Sequence, residues 1–152
     1  MRESKFHSYR VAHQRGNSEA WTAEIDAGLE DGSTREYFYE YTSFTSGGYG
    51  LAQWSGDNYC HKLYDFAKEW GTSIGDADMQ CAFVIHDMQE RFPDLYEAVC
   101  NSKTPYDAGA LIGTYYERTA EYYTAANNAK TIYNAFYSDT EDNELFKSLL
   151  DQ

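Results

Sequence analysis

From Cys60 onward, the apolar residues of this chain recur at the three- and four-residue spacing of helices that bury one face. Cys60, Leu63, Tyr64, Ala67 and Trp70 share a face, and Gly71 follows as a residue suited to ending a helix in the left-handed conformation. Met79, Phe83, Val84 and Met88 form a second stripe, which Pro93 prevents from continuing. A third helix is predicted to start at Thr104, Pro105 and Asp107, because threonine caps, proline fits the first turn and a carboxylate favours the positive end of the helix dipole. Ala108, Leu111, Ile112 and Tyr115 are its predicted buried face. Tyr122, Ala126, Ala129, Tyr133 and Phe136 mark the last helix.

The first part of the chain is less regular. Residues 1–20 read as a short helical remnant running into a loop at Gly16 and Asn17. Between Trp21 and Phe44 the pattern predicts an irregular excursion with a small hairpin, in which the alternation of Tyr37, Tyr39 and Tyr41 suggests a short strand. Gly47, Gly48 and Gly50 then predict a turn. No repeat, low-complexity block or linker interrupts the 152 residues, a length that suits one domain. The predicted fold class is α+β, mainly α: a helical domain over residues 1–137 with a small β-hairpin, followed by an acidic tail over 138–152.

Charge narrows the partners. Twelve Lys and Arg against 25 Asp and Glu give a net charge of −13, which repels phosphate backbones and anionic lipid surfaces, so neither nucleic acid nor a membrane is an expected partner. The opening MRESKFHSYR lacks the apolar run of a secretory signal, and no stretch has the length of a membrane span. Cys60, Cys81 and Cys100 are widely spaced without a CxxC pair and suit either free, largely buried thiols or a single disulfide. His7, His13, His61 and His86 show no ligand spacing, so no metal or other cofactor is expected.

The densest chemistry is GYGLAQW at residues 48–54. Its glycines allow positive φ and close approach, and Gln53 can both donate to and accept from a sugar hydroxyl or N-acetyl group. Tyr49 and Trp54 have ring faces that can stack on pyranoses. A purely structural turn is the other reading of the same residues. This motif, followed by HKLYDFAKEWGTSIGD at 61–76 and YYER at 115–118, resembles the phage tail lysozyme family. Members carry a Glu-Ser pair on a helix, a loop or insertion, a hairpin of this sequence, two helices and a Tyr-Glu-Arg-Pro segment. Glu3 and Ser4 fall where the Glu-Ser pair belongs, and the likeness covers roughly residues 1–137. Departures are Phe6 and His7 in place of Asn-Pro, and Thr119 in place of the proline after Arg118. The family also places helices ahead of its glutamate. The expectation is therefore a longer natural protein, a rearranged fold or a degenerate copy that only binds glycan.

The resemblance implies a lysozyme-like domain that cleaves the glycan strand of peptidoglycan, with Glu3 as general acid and Tyr49, Gln53, Trp54 and Glu117 as substrate contacts. Ser4 reads as a local hydrogen-bonding residue. A hydrolase needs a second carboxylate, about 5–5.5 Å from the first in a retaining enzyme and about 6.5–9.5 Å in an inverting one. Asp26, Glu36, Glu40 and Asp57 are the candidates. A lytic transglycosylase needs the single acid/base, because the sugar's own hydroxyl attacks. Glu117 and Arg118 also suit a structural ion pair or a helix-end contact. The competing class is a non-catalytic module, either glycan-binding or structural in a virion. By resemblance the place of action is a phage tail or the outside of the bacterial wall, with other tail components as further partners.

Overall fold

The computed structural model describes residues 18–44, 48–118 and 120–137. The helical remnant expected over residues 1–20, apart from its last three residues, and the acidic tail lie outside these. The described residues form α1 (Ser18–Asp26), α2 (Arg35–Phe44), α3 (Asp57–Trp70), α4 (Ala77–Arg91), α5 (Pro93–Cys100), α6 (Pro105–Leu111), a π-helical turn (Ile112–Tyr116) and α7 (Tyr122–Tyr137). Among them there is no strand, so the mainly helical class holds and the predicted hairpin is corrected to one isolated antiparallel bridge between Tyr49 and Trp54. Residues 1–87 and 88–152 form two compact units, the division falling inside α4.

The first unit is built on aromatic residues from the segment expected to be irregular. Trp21 and Ile25 on α1, Phe38 on α2, Tyr49, and Leu63, Tyr64 and Ala67 on α3 are all buried. The Trp21 ring lies 5.7 Å from Phe38, 5.1 Å from Tyr41 and 5.6 Å from Tyr49. Such pairs each add about 0.5–1.5 kcal/mol beyond the area they bury. These contacts explain why residues 35–44 are helix and not strand. Phe38 and Thr42, four apart, are both buried, and Tyr37 pairs with Tyr41 at 6.2 Å, so the four-residue period satisfies the core where alternation would expose half of it.

Tyr64 anchors the turn between α1 and α2, its hydroxyl donating to Gly28 O at 2.8 Å and lying 2.9 Å from Thr34 Oγ1. Thr34 in turn donates to Ile25 O at 2.7 Å. Outside the core, Arg35 grips Asp65 with two bonds of 2.7 Å, a planar fork that joins α2 to α3. The carboxylate beside it pushes the Arg35 pKa further up. Gly71 ends α3 as expected, at φ 77° with its amide on Ala67 O. Trp70 departs from its predicted face: it is 54% exposed and stacks on Phe66 at the rim.

Cys60 is buried and accepts from Thr42 Oγ1 at 3.0 Å, whereas Cys81 and Cys100 are exposed. All three are free thiols, although only one of them is buried as the composition suggested.

In the second unit, Phe92 leaves the helical region at φ −137° and ψ 54°, in keeping with the bias of a residue before proline against helix, and Pro93 then opens α5, a helix the pattern did not predict. Thr104 caps α6 as expected, accepting from Asp107 N at 3.1 Å. The buried face of this helix is not the predicted one. Gly109, Gly113 and Tyr116 are buried, while Tyr115 is 60% exposed. Glycine has no side chain to register as apolar, yet here it is the contact surface that admits α7. A Cβ on Gly109 would sit 2.7 Å from Ala129 Cβ and 3.0 Å from Ala125 O. On α7, Ala126 is fully buried but Tyr133 is 39% exposed, and the Phe136 side chain lies outside the described residues.

Gly109→Ala is expected to destabilise the chain by about 1–3 kcal/mol, because two backbones at this spacing cannot absorb a methyl group without separating. Urea denaturation followed by helical circular dichroism measures it, and an unchanged midpoint would contradict the packing described.

Candidate functional site

The sequence motif at 48–54 folds as a turn closed by two backbone bonds of 2.9 Å, from Tyr49 N to Trp54 O and from Trp54 N to Tyr49 O. Inside it Gln53 N donates to Gly50 O at 3.2 Å, and both Gly50 and Gln53 take positive φ, 75° and 52°. Gly48 is required by proximity, since a Cβ there would meet the Gln53 carbonyl oxygen at 2.2 Å.

Both aromatic residues of the motif belong to the core, which corrects the expectation of exposed rings that stack on sugar. Tyr49 is 0% and Trp54 3% exposed. The Tyr49 hydroxyl is 2.8 Å from Thr22 Oγ1, and burial raises its pKa well above the ordinary phenol range. Trp54 meets the Phe83 ring edge-on at 5.4 Å. Gln53 is the exposed polar side chain of the turn, with Nε2 donating to Gly50 O at 2.8 Å.

Gln80, which the sequence reading missed, holds this turn from α4. Fully buried, it accepts from Leu51 N at 2.9 Å and donates from Nε2 to Ile74 O at 2.7 Å, while its amide occupies the space a side chain on Gly50 would need. A signal was present: Gln80 and Asp87 lie seven apart on a face shared with Phe83, and a polar residue in an apolar stripe requires a partner inside.

The carboxylates considered as a second acid are placed as follows. Asp26 accepts from Ser73 Oγ at 2.5 Å and Ile74 N at 2.8 Å, which commits it to fixing the loop before α4. Glu36 contacts Arg35 at 3.2 Å and His61 at 3.4 Å with most of its side chain in solvent. Glu40 is exposed. Glu3, Ser4 and the Asp57 side chain lie outside the described residues.

In the second unit, Glu117 follows the π-helical turn and donates its amide to Ile112 O at 3.0 Å. Its side chain reaches the surface, yet the surrounding chain desolvates the carboxyl enough to raise its pKa above the ordinary 4.5. Arg118 takes φ 53°, a conformation that residues with a Cβ rarely adopt. Among the described residues no ion pair joins the two. Arg118 instead lines a groove of about 710 Å³ with Arg91, Phe92, Leu95, Leu111 and Tyr115.

A family model described as phage tail lysozyme matches residues 1–138, a span that includes Glu3, the 48–54 turn and the 115–118 segment. The chain belongs to the phage tail lysozyme family. No curated protein and no solved structure matches the chain. Membership in the phage tail lysozyme family points to a lysozyme-like domain acting on peptidoglycan, with a virion or extracellular role. No helix among the described residues is long and apolar enough to cross a membrane.

Gln80→Ala is expected to cost about 2–3 kcal/mol, from two lost bonds and an orphaned Leu51 amide. Hydrogen exchange at Leu51 should accelerate with it, and a protected Leu51 amide in the variant would show that the turn does not depend on Gln80. For Glu117, the folded pKa is raised, so the fold favours the neutral form. Stability from this group is full below the unfolded value, falls as pH rises through it, and is lost above the folded value. Glu117→Gln should flatten that decline in melting temperature between about pH 3 and pH 7; an unaltered pH profile would mean that the carboxyl is freely solvated.

Proposed function

We propose that this chain is a peptidoglycan glycosidase in which Glu3 protonates the oxygen leaving the glycosidic bond. The observation that carries the reading is the family match through residues 1–138, which takes in Glu3 and both downstream motifs in order. Gln53 contacts a sugar hydroxyl or N-acetyl group from the tip of its turn, and Tyr49 and Trp54 serve that contact by holding the turn from beneath. Glu117, with its raised pKa, is a second substrate contact able to donate a hydrogen bond while protonated. General acid catalysis asks that Glu3 be shielded from bulk water, because only desolvation keeps a carboxyl protonated near neutral pH.

Hydrolysis and lytic transglycosylation share this first step and differ in the nucleophile. In the first, a water activated by a second carboxylate attacks the anomeric carbon. In the second, the muramic sugar's own hydroxyl closes on that carbon and leaves an anhydro end. Asp26 and Glu36 each hold polar partners that suit a structural role, which leaves Glu40 and Asp57 as the candidates for the hydrolytic route.

Purified peptidoglycan should lose turbidity with the wild-type chain, and Glu3→Gln should slow clearing by about 10²–10⁴-fold. Mass spectrometry of the fragments separates the routes, anhydro ends marking transglycosylation and reducing ends marking hydrolysis. A folded wild-type chain that releases nothing would sink the glycosidase reading and leave a module that binds glycan.

A further inference from the structure

We propose that the groove in the second unit recognises the short acidic peptide stem that branches from the muramic sugar of peptidoglycan, with Arg118 holding one of its carboxylates. The inference rests on the peptidoglycan reading above and assigns a substrate part which that reading leaves unplaced.

Three observations converge on Arg118. It lines a groove of about 710 Å³, within the size range of small-ligand sites. Among the described residues its side chain has no hydrogen-bond or ion-pair partner, in a chain where acidic residues outnumber basic ones 25 to 12. Its backbone stands at φ 53°, directly after Glu117 and the π-helical turn. Strained backbone and π-helical turns both concentrate where a side chain must be aimed for a purpose other than packing.

The rest of the lining selects the ligand. Arg91 supplies a second guanidinium, its Cζ 5.2 Å from the centre of the Phe92 ring, and Asp94 supplies one carboxylate. Phe92, Leu95, Ala98 and Leu111 make an apolar floor. Two cations, one anion and an apolar floor fit a peptide with at least two carboxylates, one amine and several alanine methyl groups. The uncharged sugar backbone offers two guanidinium groups only neutral acceptors, whereas a planar fork matches a carboxylate with two parallel charge-assisted bonds.

The test titrates the full chain with the synthetic pentapeptide L-alanyl-γ-D-glutamyl-L-lysyl-D-alanyl-D-alanine, following backbone amide shifts by NMR. Saturable shifts are expected across residues 91–98 and 111–118. Amidating the peptide carboxylates, or introducing Arg118→Gln, should weaken binding roughly ten- to a hundredfold. Arg118→Gly should do the same while melting no lower than wild type, because glycine relieves the positive φ, so lost binding cannot be ascribed to misfolding. Absence of saturable shifts, or equal affinity for the amidated peptide or in the two variants, would overturn the proposal. The peptide contains no glycosidic bond, so its binding is read independently of cleavage. Peptide binding without release of glycan fragments upholds this site while the glycosidase reading fails, and release without peptide binding does the reverse.

Discussion

The hydroxyl contact between Thr22 and Tyr49, 2.8 Å long and closed to solvent, is the interaction on which the first unit depends. A phenol can enter an apolar core only if its oxygen finds a partner there, and Thr22 on α1 provides it. With that oxygen satisfied, the Tyr49 ring packs against Trp21 and Phe38 and brings α1 and α2 onto the same centre. The backbone of Tyr49 is then free to pair with Trp54, whose ring anchors the other side of the turn against Phe83. Gln80 completes the arrangement from α4, bonding both the turn at Leu51 and the loop at Ile74.

This arrangement changes how GYGLAQW is understood. Five of its seven residues act on the turn itself: Gly48 and Gly50 make room, Tyr49 and Trp54 fasten it to the core, and Leu51 donates the amide that Gln80 accepts. Gln53 is left as the exposed polar group, raised on a left-handed backbone. The motif therefore specifies the turn first, and it holds Gln53 at the surface with its side chain bonded to Gly50 O.

A different constraint governs the second unit. Gly109 and Gly113 let α7 approach so closely that alanines do the packing, and the larger apolar residues are displaced outward. Tyr115 is turned to the surface beside the groove, and the π-helical turn delivers Glu117 and Arg118 immediately after it. The acidic carboxyl is partly desolvated, and the guanidinium has no ion-pair partner among the described residues.

The sequence by itself determined the helices whose stripes, caps and breakers agree. α3 with its Gly71 end, α4 with its stop before Pro93, and α6 with its Thr104 cap stand where the pattern put them. It also carried the family, through residues at 48–54 and 115–118 whose spacing along the chain is distinctive. What only the tertiary structure decided is which side of these elements faces inward. Tyr37, Tyr39 and Tyr41 alternate like a strand, but Trp21 and Tyr49 offer partners at helical spacing, and the core chooses the helix. Tyr49 and Trp54 look like binding residues because aromatic rings suit sugars and cores alike, and burial follows from Thr22 and Phe83, more than 25 residues away in the chain. Periodicity records where apolar side chains are; it cannot record that a glycine face or a distant hydroxyl makes the better contact, since those energies exist only once the segments have met.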